Sequence, residues 1–69
     1  MKDMTIEIMN GKKKITASKE VLNEISMWAR AYANEEARKN HKALAELGDE
    51  VSDTIYYALD EIGYYDDYK

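Results

Sequence analysis

Cysteine is absent from this chain, histidine occurs once (His41), and there is no proline. The missing thiols remove disulfides, thiolate nucleophiles and sulfur-ligated zinc together. A single imidazole is too little for a histidine metal site or a histidine-based triad. Ser18, Ser26 and Ser52 carry no neighbouring nucleophile motif. No apolar run approaches the roughly 18 residues that a membrane span needs. Met1 is followed by Lys2 and Asp3 rather than by an apolar core, so no secretory signal is expected and the cytoplasm is the expected location. Neither a cofactor nor a metal is expected, and the chain reads as a non-enzyme.

Sixty-nine residues make a single domain, 1–69. A chain of this size buries only roughly 60% of its extended surface, so its stability is expected to be thin. Good helix packing or a partner subunit has to stand in for the missing covalent staples. The formal net charge is −4, and its distribution is uneven. Residues 1–34 carry six Lys/Arg against four Asp/Glu, whereas residues 35–69 carry four against ten. From Ala43 to Tyr68 there are eight carboxylates and no basic residue. That block repels phosphate backbones and anionic lipid and attracts a basic protein surface.

The expected fold is a small α+β domain, an N-terminal β-hairpin followed by two or three helices. Asn10-Gly11 tolerates the positive φ of a type I′ turn, which places the hairpin over residues 4–16. A two-residue loop there pairs Met9 with Lys12, Ile8 with Lys13, Glu7 with Lys14, Ile6 with Ile15 and Thr5 with Thr16. Ile6, Ile8 and Ile15 then share one face, which must lie on a helix because a lone hairpin is marginal in water. Lys12, Lys13 and Lys14 read best as a solubilising edge that discourages strand addition.

A helix is expected over residues 18–47, with Thr16 or Ser18 as its cap. Val21, Leu22, Ile25, Trp28, Ala29, Tyr32 and Ala33 recur at helical spacing and predict the packing face, centred on the only tryptophan. The pattern weakens from Asn34 to Lys42, so this helix either breaks near Asn40 or crosses an exposed middle between two packed ends. Apolar spacing resumes at Ala43, Leu44 and Leu47. Gly48 then reads as a terminator and Asp49 as the N-cap of a last helix over 49–62, with Glu50 in its first turn. That helix–tight turn–helix outline is similar to a DNA-binding helix-turn-helix, but its second helix has no basic residue to meet phosphate. Gly63 ends the last helix, and an aromatic, acidic tail fills residues 63–69. The expected core is Ile6, Ile8, Ile15, Leu22, Ile25, Trp28, Leu44, Leu47, Val51, Ile55, Leu59 and Ile62.

The polar side of the last helix and the tail supply the candidate partner-binding residues: Asp49, Glu50, Asp53, Tyr56, Tyr57, Asp60, Glu61, Tyr64, Tyr65, Asp67 and Tyr68. The plain reading is a solvated face, with Tyr64 or Tyr65 folded back as a lid. The functional reading is recognition of a basic protein surface, in which carboxylates steer the encounter and tyrosines convert contact into affinity. A special case is imitation of nucleic-acid charge, so that an inhibitor or regulator occupies a nucleic-acid-binding surface of its target. Direct nucleic-acid or membrane binding is not expected. Paired carboxylates at Asp49, Asp53 and Asp60 are a weaker reading, since acid/base work needs a buried member in a cleft. The spacing does not match a calcium loop. A homo-oligomeric structural or regulatory domain is the alternative. Met27, Ala31 and Leu22 widen the apolar surface of the first helix, so a homodimer through that helix would supply burial the short chain lacks.

Overall fold

In the computed structural model, which describes residues 3–68, the chain is an antiparallel β-hairpin, two 20-residue helices and a terminal 3₁₀ turn. Strand β1 is Met4–Ile8 and β2 is Lys13–Ala17, paired in the register expected, with Ile6 opposite Ile15 and Glu7 opposite Lys14. The turn is longer than a two-residue loop. Met9, Asn10 and Gly11 all have positive φ (54°, 58° and 81°), and two overlapping bonds close it, from Gly11 N–H to the Ile8 carbonyl and from Lys12 N–H to the Met9 carbonyl. The connection therefore spans four residues and still preserves the register, because it adds one residue on each side of Asn10-Gly11. A Thr5–Thr16 hydroxyl pair, 2.8 Å apart, adds a cross-strand bond on the outer face.

Helix α1, Lys19–Arg38, begins where Ser18 Oγ accepts from Val21 N–H and Glu20 occupies the first turn. It ends in a Schellman motif. Asn40 takes the left-handed conformation (φ 64°), its N–H donates to the Ala37 carbonyl, and His41 N–H donates to the Glu36 carbonyl. The His41 ring adds a second tie to the same residue, Nδ1 to Glu36 Oε2 at 2.6 Å. Of the two alternatives for residues 34–42, a break near Asn40 is the one adopted. Asn40→Ala is expected to cost about 1 kcal/mol, because a Cβ-bearing side chain without a polar head is disfavoured at positive φ. Asn40→Gly should be neutral or better. Urea denaturation monitored by circular dichroism checks both, and equal stability of the Ala variant would count against this account.

Helix α2, Lys42–Glu61, runs without interruption through Gly48. This corrects the expected boundaries: residues 43–47 belong to the second helix, Gly48 does not terminate anything, and Asp49 and Glu50 are mid-helix rather than cap and first turn. Asn40, left-handed with its Schellman bonds, supplies the only stop required, and the glycine has a different use. A Cβ on Gly48 would lie 2.9 Å from the Ala29 carbonyl oxygen, 3.0 Å from Ala33 Cβ and 3.1 Å from Ala33 N. At Gly48 the two helices are in contact too close for a side chain. Gly63 (φ 81°) follows the end of α2 as expected.

The seam between the helices is built from small residues. On α1 the inward row is Leu22, Ser26, Ala29 and Ala33, and on α2 it is Ala45, Gly48, Ser52, Ile55 and Leu59. Ser26 Oγ donates to the Ser52 carbonyl at 3.1 Å, and their hydroxyls lie 3.3 Å apart, so both buried serines are satisfied. The large-residue core lies at one end of the pair, where Ile6 and Ile8 of the hairpin meet Leu22, Ile55 and Leu59. Met4, Ile15, Ile25, Val51 and Ala58 pack around them.

Four expected core residues are exposed: Trp28 (64%), Leu44, Leu47 and Ile62. The reason is the close approach. The row that faces the partner helix is one edge of the expected apolar band: Leu22, Ala29 and Ala33 turn inward with Ser26 on α1, and Ile55 and Leu59 turn inward with Ala45, Gly48 and Ser52 on α2. Val21, Ile25, Trp28 and Tyr32 therefore flank the seam on α1, and Leu44, Leu47, Val51, Ala58 and Ile62 flank it on α2. Because the helices are antiparallel, both flanking rows fall on the same side of the pair. The hairpin covers only one end of that side.

Candidate functional site

The opposite side of the helix pair, away from the hairpin, carries a groove of about 560 Å³. Its floor is the Ser26–Ser52 contact, and Met27, Arg30, Ala31 and Asn34 of α1 face Asp53, Tyr56 and Tyr57 of α2 across it. These are the rows one residue beyond the seam, where the two helix cylinders diverge. Met27 and Tyr57 are more than half exposed, so the groove has an apolar wall on each helix. Its size falls in the range of small-ligand and side-chain pockets.

One end of the groove is closed by charge. Arg30 Nη1 reaches Asp49 Oδ1 at 2.6 Å, and its Nη2 reaches Asp53 Oδ1 at 2.5 Å. The carboxylates stand four residues apart on α2, one turn, so the two prongs of a planar guanidinium can take one each. All three side chains are about half exposed to water. The arrangement ties the helices together and spends two of the expected carboxylates inside the chain.

The other end is aromatic. Tyr56 packs edge-on against Tyr57, with centroids 5.6 Å apart, and stacks on Tyr65 at 4.9 Å. Tyr65 in turn meets Tyr64 edge-on and donates from Oη to Asn23 Oδ1 at 2.7 Å. The 3₁₀ turn Tyr64–Tyr68 thereby folds back across the start of α1 and the end of α2, and Tyr64 and Tyr65 pack against the core.

The expected partner-binding residues thus fall into groups. Asp49, Asp53, Tyr56 and Asp60 form one row of α2 beside the groove, and Tyr57 stands at its mouth. Glu50 and Glu61 are exposed on the outer surface of α2, facing away from it. Tyr64 and Tyr65 are half-buried in the role of a lid. The side chains of Asp67 and Tyr68 lie outside the described ones. Met27, Arg30 and Asn34 were not among the expected site residues. Arg30 had a legible signal: it is the only basic residue between Lys19 and Arg38, and Asp49 and Asp53 are spaced to receive it.

Fold and groove together define a small α+β domain with a hairpin, an antiparallel helix pair and an open interhelical cleft. Comparison with protein-family models, with characterised proteins and with solved structures finds no match. Among the described residues no helix is long and apolar enough to cross a membrane.

Proposed function

We propose that this chain is a cytoplasmic protein-binding module that receives a basic segment of another protein at the α1–α2 groove and acts by occupying that surface. The observation that carries the reading is Tyr57, 66% exposed at the groove mouth, within a stretch that bears carboxylates and no basic residue from 43 to 68. An exposed tyrosine costs solvation to maintain and gives affinity when covered, and carboxylates around it select for positive charge. Asp53, the carboxylate that lines the groove, is engaged by Arg30 together with Asp49, so Asp60, one turn beyond Tyr56 and outside the lining, is the carboxylate that would meet a cation, with Glu50, Glu61 and Glu46 setting the longer-range field. Met27 and Tyr56 would receive an apolar side chain beside that cation. Inhibition of a nucleic-acid-binding target is a special case, in which the target's basic surface is the one occupied.

Affinity capture with the full chain at about 0.05 M and 0.5 M salt tests this, since screening shortens from roughly 14 Å to 4 Å over that range. A basic partner retained at low salt, released at high salt and weakened at least tenfold by Tyr57→Ala is the expected result. No partner at either salt, or one indifferent to both Tyr57→Ala and Asp60→Lys, overturns it.

A further inference from the structure

On the hairpin side of the helix pair, Trp28 and Tyr32 of α1 and Leu44 and Leu47 of α2 are 64%, 44%, 42% and 36% exposed. The antiparallel arrangement sets the C-terminal half of α1 beside the N-terminal half of α2, so the four side chains form one patch. The hairpin stops short of it, covering the Ile25, Val51 and Ala58 end. Beyond Tyr32 the α1 row ends in two carboxylates, Glu35, paired with Arg38, and Glu36, whose side chain is 12% exposed and is held by His41. We propose that this patch is a two-fold interface between two copies of the chain.

Area supports a second copy. An aromatic side chain offers about 150–250 Å², so the four residues leave on the order of 400 Å² of apolar surface in water. That is at the scale where exposed patches on monomers are interaction sites. Doubled across a two-fold axis it comes to roughly 800 Å², the size of a weak, reversible contact rather than an obligate one. The molecule is also a slab, 38 × 30 × 17 Å, with this half of its broad face uncovered.

Shape and charge support it independently. One half of the face is raised by the hairpin and the other half is bare, which is a step. A two-fold axis through the bare half seats each copy's helices beside the other's hairpin. Isologous contact also needs both signs of charge on one rim. The exposed lysines 12, 13 and 14 at the hairpin turn and the exposed Glu50, three residues along α2 from Leu47, supply them. A purely basic partner would be drawn to the opposite side, where Glu46, Asp49 and Asp53 stand, not to this patch. This interface is separate from the groove, and either can fail without the other.

Trp28 is the only tryptophan, so its emission reports directly on this face. Sedimentation equilibrium and fluorescence of the full chain would be followed from about 1 to 200 μM, a range chosen to bracket the micromolar affinities common for interfaces of this size. The expected result is a shift from monomer to dimer mass with a parallel blue shift of emission. Leu47→Glu and Tyr32→Glu should each weaken association at least 100-fold while retaining helical circular dichroism. Tyr57→Ala, on the groove side, should leave the dimer intact. If a glutamate variant loses helicity, Leu44→Gln takes its place, with at least a tenfold weakening expected. A monomer at every concentration with constant emission overturns the proposal and leaves the face to a different protein. A dimer that survives Leu47→Glu, Tyr32→Glu and Leu44→Gln overturns it equally.

Discussion

Replacing Gly48 with alanine is expected to destabilise the protein by about 1–2 kcal/mol, against the ordinary sign of that substitution in a helix. At an open helical position alanine is favoured over glycine by about 1 kcal/mol. Here the added Cβ would sit 2.9 Å from the Ala29 carbonyl oxygen and 3.1 Å from the Ala33 backbone nitrogen. Backbone atoms inside a helix cannot swing aside as a side chain would, so the helices must separate. Separation lengthens the Ser26–Ser52 bonds and pulls Arg30 from Asp49 and Asp53, which stand on either side of the contact. Gly48→Val adds a branched side chain at the same point and should cost roughly 3 kcal/mol or more, in line with severe overpacking. Urea unfolding of both variants measures this. A higher midpoint for Gly48→Ala would show that the helices are not in tight contact at this position.

Leu22→Ala and Ile55→Ala should each cost about 2–5 kcal/mol, the range for truncating a fully buried aliphatic side chain. Leu22, Ile55 and Leu59 are completely buried and receive Ile6 and Ile8 from the hairpin. A domain of this length has only about 3–10 kcal/mol in total. Either truncation therefore removes a large share of the stability and should lower the melting temperature by 10 °C or more, at roughly 4–8 °C per kcal/mol. Tyr57→Ala, on the exposed rim of the groove, should stay within about 0.5 kcal/mol. Thermal unfolding of the three variants, compared at one protein concentration, gives the contrast. If Tyr57→Ala proved as damaging as Leu22→Ala, the placement of the core at the hairpin end of the helix pair would be wrong.

The contrast between these positions shows which parts of the fold were legible in advance. The hairpin register follows from Asn10-Gly11 and the alternation of Ile6, Ile8 and Ile15. The start of α1 follows from Ser18, and the stop after α2 from Gly63. Each depends on φ preferences, a nearby hydrogen bond or a two-residue period, and all of these act between residues close in the chain. Gly48 is opaque to such rules for the same reason. A glycine that ends a helix and a glycine that admits another helix look identical to local rules, and Asn40, which does end the helix, is a weaker local signal. Three of the eleven expected partner-binding residues, Asp53, Tyr56 and Tyr57, line the groove, and α2 periodicity alone puts them on one side of the helix. Arg30, which engages Asp49 and Asp53, comes from the other helix.

By itself, then, the sequence determined the hairpin and its strand pairing, the helical content after it, the acidic character of α2 and the presence of an apolar band on each helix. Only the tertiary structure decided which side of each band is buried. That choice depends on how closely two helix axes approach, and Ala33, Ala45, Gly48 and the serine pair Ser26–Ser52 let them approach closely enough to turn small residues inward. Trp28, with the largest side chain in the chain, is displaced to the surface by that approach. Distance between axes is a property of the pair, and no periodicity within one helix contains it.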